Sequence, residues 1–273
     1  MAKYGIGTED HKRLFCRVFI DTHEPYSPAD IAFPDIDPDS RARLLSLPIW
    51  DEAVNTERET AAKVQRMARV ETDPLMQEAI ALQGFEEGRH AALLDRLTTA
   101  YGIPVKRRAD EPIPKDPAWD FTRTEYGECF DAFFAFGLFS LAKDSGFFPE
   151  PLVKLFDPIM QEEARHVLFF VNWIAYQRAR RPLLGRPLLD FQRGLAVSLQ
   201  ILSRVRTAFD LGGSDQDNFA MKSHGSIGEF SIRAFLQTCL SENERRLGQY
   251  DDSLLRPTFA PQLARLALRV LPT

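Results

Sequence analysis

Between Ser46 and Val70 apolar residues return every three or four positions, through Ile49, Ala53, Ala61, Val64 and Ala68, with Glu57 on the same stripe. That period belongs to one face of an α-helix. The pattern breaks at "ETDP", where Asp73 can cap and Pro74 can open a second helix, expected to run to about Ala100 and close at "YGIP". After the Pro- and charge-rich connection "VKRRADEPIPKDPAWD", a third helix is expected from about Phe121 to "SGFFPEP", and a fourth from about Glu150 to Arg180. Two more helical stretches, near 188–209 and 226–250, flank the loop "LGGSDQDN", and the amphipathic "PQLARLALRVL" follows. The first 45 residues, with "DTHEPYSPADIAFPDIDPDS", read as an arm carrying a short helix near "DHKRLFCRVF".

No β alternation of useful length interrupts this series, so the expected fold is all-α. Its parts are an N-terminal arm (1–45), a four-helix bundle of two antiparallel hairpins joined by a long crossover (46–180), and a C-terminal helical extension (181–273) packed on the bundle.

Composition narrows the function classes more than the fold. The chain has 273 residues, 27% of them charged, with a net charge of −5. A mildly acidic balance argues against nucleic acid as partner, although "VKRR" and "RARRPLLGR" supply local positive charge. No apolar run is long enough for a bilayer and "MAKYGIGTEDHKRLF" has no signal-peptide core, so a cytoplasmic, membrane-free protein is expected. Cys16, Cys129 and Cys239 form no Cys-x-x-Cys pair, which argues against a rubredoxin-type or zinc-ribbon site.

The chemistry resides in a repeat. "EEGRH" occupies 86–90 in the second helix and "EEARH" occupies 162–166 in the fourth, although the chain has only 5 histidines. A Glu and a His three apart share a helix face and can reach one ion together. Two such pairs facing each other could hold two ions, given further carboxylates from the other two helices. Antiparallel residues at one level lie symmetrically about their turn. Reflection of Glu87/His90 through 72–74 arrives at about Glu57, and reflection of Glu163/His166 through 146 arrives at about Glu128. Glu59 rivals Glu57, and Glu125 rivals Glu128 on the same stripe. Carboxylates on apolar faces are costly to bury unless paired or metal-bound.

This set resembles the ferritin-like di-iron carboxylate proteins, in which a carboxylate on each of two helices joins a Glu-x-x-His on each of the others. The resemblance covers roughly residues 46–180 and implies Glu57, Glu87, His90, Glu128, Glu163 and His166 as ligands of two iron ions, as Fe/Fe or Mn/Fe. The pentapeptides look most like the Asp-Glu-x-Arg-His signature of bacterial multicomponent monooxygenases, with Glu in place of Asp. By that likeness Glu86, Glu162, Arg89 and Arg165 would stand behind the ligands and orient the imidazoles.

The resemblance implies an O2-activating oxygenase or oxidase of hydroxylase type, acting on a small organic substrate. Electrons would come from an external donor, a ferredoxin or reductase, because no flavin or nicotinamide fingerprint appears. An apolar pocket is expected beside Glu128 and Glu125, lined by Ala132, Phe133 and Phe136 and closed by the helices after residue 188. Alternatives are a ferroxidase or peroxide-scavenging ferritin- or rubrerythrin-like protein, a di-iron tRNA hydroxylase, and a non-enzymatic helical interaction module. A homodimer is a candidate assembly. Tyr126, Tyr176 and Trp173 are candidate radical carriers, His224 reads as a capping-region residue, and "GSDQDN" lacks the bidentate Glu of a calcium loop.

Overall fold

The computed structural model describes residues 4–47, 49–110, 112–210 and 231–271, and among them every regular element is helical. The helices are α1 (Glu9–Asp21), α2 (Pro38–Ser46), α3 (Trp50–Val70), α4 (Pro74–Tyr101), α5 (Pro117–Asp144), α6 (Glu150–Lys154), α7 (Asp157–Arg180), α8 (Arg186–Asp210), α9 (Ile232–Leu247) and α10 (Phe259–Val270). The "LGGSDQDN" loop and His224 lie outside the described residues. No helix among the described residues is long and apolar enough to cross a membrane.

Local chemistry sets most boundaries. The Asp73 carboxylate accepts from the amides of Leu75 and Met76, satisfying donors that the first turn of α4 leaves unpaired. At its other end Gly102 takes the left-handed conformation, φ 69°, that a residue with a Cβ adopts only at a cost. Asp116 accepts from the Trp119 amide, so α5 starts at Pro117, ahead of the position that its apolar stripe suggests. The expected fourth helix is divided into α6 and α7, with Pro158 in the first turn of α7, where its missing N–H costs nothing.

The short helix expected in the N-terminal arm is present as α1. It is a core element: Phe15, Cys16 and Phe19 are buried, and the Phe15 ring meets Phe169 edge-on at 5.6 Å. Full burial of such a ring contributes roughly 1.5–3 kcal/mol. The unexpected α2 is short, capped by Asp37 on the Ser40 amide at 2.8 Å, and too brief to show a period.

Helices α3 and α4 pack along their length as a hairpin. Gln77 donates to the Ala68 carbonyl near the turn, and Gln65 donates to the Gly84 carbonyl farther along. A Cβ at Gly84 would stand 3.1 Å from the Gln65 nitrogen, so the two backbones approach closely there. Helix α5 packs on α3 and α7, and α9 covers another side of α5. Gly137 permits that contact, since a Cβ there would fall 2.3 Å from the Cys239 sulfur and 3.0 Å from its Cα. Helices α4 and α7 meet where they carry the two pentapeptides.

Candidate metal centre

Glu57, Glu87, His90 and Glu163 converge, each offering a ligand atom within 4.8 Å of the others. The His90 Nδ1 stands 3.4 Å from Glu57 Oε2, 3.9 Å from Glu87 Oε2 and 3.2 Å from Glu163 Oε1. The His166 Nδ1 stands 3.0 Å from Glu87 Oε1 and 3.8 Å from Glu163 Oε2. Glu87 and Glu163 therefore lie between the two imidazoles, whose ring centroids are 5.8 Å apart. Atoms that share one ion at bonds of about 2.1 Å stand about 3 to 4 Å from each other, so these spacings suit a small cation.

Behind the imidazoles the pentapeptides cross. His90 on α4 directs Nε2 to Glu162 Oε2 of α7 at 2.7 Å, and His166 on α7 directs Nε2 to Glu86 Oε2 of α4 at 2.9 Å. A carboxylate can only accept, so each Nε2 carries a proton, and each Nδ1 is directed into the Glu cluster, where it can hold a second proton or, without it, a metal. The arginines bind the same carboxylates: Arg89 pairs with Glu162, and Arg165 with Glu86 at 2.8 Å. This side is closed by the arm, where His23 Nδ1 meets Glu86 Oε1 at 2.5 Å and Tyr26 lies over the Arg89 guanidinium at 3.7 Å.

The remaining candidates divide by partner. Glu57 faces His90, whereas Glu59 points to Arg108 at 3.6 Å, which separates the two α3 carboxylates. Glu125 is fully buried, with Oε1 accepting from Gln83 at 2.7 Å and Oε2 without a hydrogen bond. Glu128 is half-buried and accepts from Thr60 at 3.2 Å. On α5 the buried, unpartnered oxygen thus belongs to Glu125.

Electrostatics explains what such a cluster requires. Arg89 and Arg165 offset Glu162 and Glu86, whereas Glu57, Glu87 and Glu163 face the two imidazoles. Burial, with the charges of Glu87 and Glu163, holds the Glu57 carboxyl up to about 8 against the pull of His90. Burial likewise raises Glu125 and Glu128 well above the carboxylate range, with Glu87 and Glu163 adding to it. For His90, burial alone would lower the pKa, yet Glu162, Glu163 and Glu57 outweigh it and raise it well above the imidazole range. Burial works against the charged form of Glu86 too, but His166 and Arg165 prevail and bring it down to about 2. The cluster takes up positive charge as protons or as metal.

His11 shows what a satisfied core histidine looks like in this fold. Its Nε2 meets Asn172 Oδ1 at 3.1 Å and its Nδ1 accepts from the Gly7 amide at 3.3 Å. By contrast His90 Nδ1, His166 Nδ1 and Glu87 Oε1 are buried with no hydrogen bond at all. Native interiors seldom leave such atoms without a partner, and a ligand set of carboxylates and imidazoles fits a divalent metal pair.

The side chains expected to line an apolar pocket lie in packed clusters. Ala132 and Phe136 pack against Ala164, Val167, Leu168 and Leu247, while Phe133 packs with Phe130, Phe235 and Cys239. Helix α5 is apolar on several faces, and α7 and α9 fill the space around these side chains. Beside Glu128 lies a polar pocket of 270 Å³ whose wall includes Glu59, Thr60, Lys63 and Asp131. An apolar cavity exists instead on the Glu57 side. Of the radical candidates, Tyr126 is held by Arg193 and Tyr176 by Glu9, and Trp173 sits in the core.

Residues that periodicity did not single out also reach the site. Gln83 and Thr60 are polar residues on buried faces, one turn from Glu87 and Glu57, and that placement is a usable signal. His23 and Tyr26 lie in irregular chain and carry none. Comparison of the chain with family models, curated proteins and solved structures returns no match, so geometry and residue chemistry carry the functional reading.

Proposed function

We propose that this chain is a ferritin-like di-iron carboxylate protein, an O2-dependent oxygenase or oxidase of a small organic substrate. The observation that carries the reading is the pair of buried, unpartnered Nδ1 atoms of His90 and His166, each facing carboxylates while its Nε2 is held from behind. Glu57, Glu87, His90 and Glu163 would hold one ion, and Glu87, Glu163, His166 and an α5 carboxylate the other. Bound iron would supply the two-electron reduction of O2, and a hydroxylation would balance as R–H + O2 + 2e⁻ + 2H⁺ → R–OH + H2O with electrons from an external ferredoxin or reductase.

The chain's own groups have distinct tasks. Glu162 and Glu86 fix each imidazole tautomer from the opposite hairpin, and Arg89 and Arg165 hold those carboxylates in place. The arm residues Phe19, His23 and Tyr26 cover this side and keep water from the imidazoles. Anaerobic Fe(II) loading should give about two irons per chain, the number that paired Glu-x-x-His helices imply. Glu87→Ala and Glu163→Ala should each lose at least one, and full iron in both variants would refute the ligand assignment. In the same assay Glu125→Gln should lose more iron than Glu128→Gln, and the reverse order would return the α5 ligand to Glu128.

A ferroxidase is the second reading, favoured by the polar pocket that reaches Glu128 and offers ions a path. Repeated Fe(II) oxidation with a growing mineral would support it. A site that oxidises once and then waits for reductant supports the oxygenase.

A further inference from the structure

On each of the four helices that carry the cluster, residues one or two turns from the candidate ligands border a single cavity. Ala53 precedes Glu57 by four residues, Leu94 follows His90 by four, Ala135 follows Glu128 by seven, and Ile159 precedes Glu163 by four. The cavity has a volume of 190 Å³ and its far end is bounded by α2, α6 and the chain around Phe148. Among the described residues Glu57 is the one charged residue on its wall, and that side chain keeps 22% of its surface accessible. The indole N–H of Trp50 is committed to the Leu44 carbonyl at 2.9 Å, so it offers nothing to a ligand. Apart from Glu57, the described side chains of the wall offer no free hydrogen-bonding group with which to recognise a polar molecule.

We infer that this cavity is the substrate-binding site and that it takes an uncharged, hydrocarbon-like molecule from about the size of benzene to that of butylbenzene, bound with one end against Glu57. The inference rests on the proposed metal centre only for the meaning of that end. Apolar cavities of about 150 Å³ admit benzene and stay dry otherwise, so this volume accepts a ring with a short chain. A charged ligand would lose its hydration here with no opposite charge to replace it. The small side chains of Ala53 and Ala135, on facing helices, leave the space open, and neither belongs to the proposed metal machinery.

Butylbenzene titrated into the full, metal-free chain and followed by calorimetry tests this directly. Saturable one-to-one binding is expected, weakened at least tenfold when the ligand is 4-butylbenzoate. Both measurements use the unaltered chain, so they stand whether or not any variant folds. Ala53→Leu and Ala135→Leu should each weaken butylbenzene binding at least tenfold, with the helical circular dichroism and the iron content of the wild type retained. Equal binding of benzoate and hydrocarbon, wild-type affinity in both folded variants, or no saturable binding to the unaltered chain would overturn the assignment. Iron content measured on the same samples keeps the two readings apart. Normal butylbenzene behaviour without iron would sink the metal centre alone, and two irons without butylbenzene binding would sink the cavity alone.

Discussion

Replacement of Glu162 by Ala removes one carboxylate that serves Arg89, His90 and, at 3.5 Å, the Tyr26 hydroxyl. Glu162 is 3% exposed, and it pairs with Arg89, itself 4% exposed, while accepting from His90 Nε2 at 2.7 Å. Breaking a buried ion pair from one side costs about 3–5 kcal/mol, because the remaining charge stays buried. Arg89 keeps the carbonyls of Glu24 and Tyr26 at 3.2 Å each, together with the Tyr26 ring, so the low end, about 3 kcal/mol, applies. The loss at His90 is separate: without an acceptor for Nε2–H the ring is free to change tautomer and orientation, which weakens metal binding about 10–100-fold. Urea denaturation of the metal-free chain reads the first effect, and competition with a chelator of known affinity reads the second. Unchanged metal-free stability would show that the Arg89–Glu162 pair does not form as described. A destabilised chain with wild-type metal affinity would reduce Glu162 to a structural counter-ion and remove His90 from the ligand set.

Two further outcomes follow from the same structure. The metal-free chain should lose thermal stability as pH rises from 5 to 8.5, because unfolded glutamates ionise near 4.5 while Glu57 holds its proton to about 8. His90 and His166, raised well above 6.5, act in the same direction, their contribution being present at low pH and lost as pH climbs through their folded pKa. Loaded protein should show the opposite trend, with protons released on binding and tighter metal at higher pH; identical pH profiles for the two forms would contradict a protonated cluster. Gly137→Ala should destabilise the chain by about 1–3 kcal/mol in denaturant, since its Cβ would meet the Cys239 backbone at 3.0 Å, yet leave iron content unchanged. Wild-type stability would mean that α9 is not seated on α5 as described.

Local signals were sufficient for the elements that begin or end on strong caps. Asp73 with Pro74, Gly102 and Asp116 with Pro117 act within one turn of chain, so α4 and α5 are legible without neighbours. The doubled pentapeptide was legible too, because Glu and His at helical spacing must share a face wherever the helix packs. Reflection through the turns carried this as far as Glu57 and the Glu125/Glu128 stripe, but it resolves height and not direction. Whether Glu57 or Glu59 enters the cluster depended on Arg108 and His90, which approach from distant chain segments.

Long-range packing decided the rest. The irregular chain after α1 has no period to betray contacts, so the meeting of His23 with Glu86 appears only once α4 and α7 are assembled. The crossing of the pentapeptides, each Glu serving the histidine of the other hairpin, is a relation between two helices and cannot be written in either one. Cavities are harder still to anticipate. Phe133 and Phe136 are apolar residues beside Glu128 in sequence, and their packing against α7 and α9 is set by those helices. The open volume is bordered by Ala53 and Ala135, and an empty space is set by what all its neighbours fail to fill.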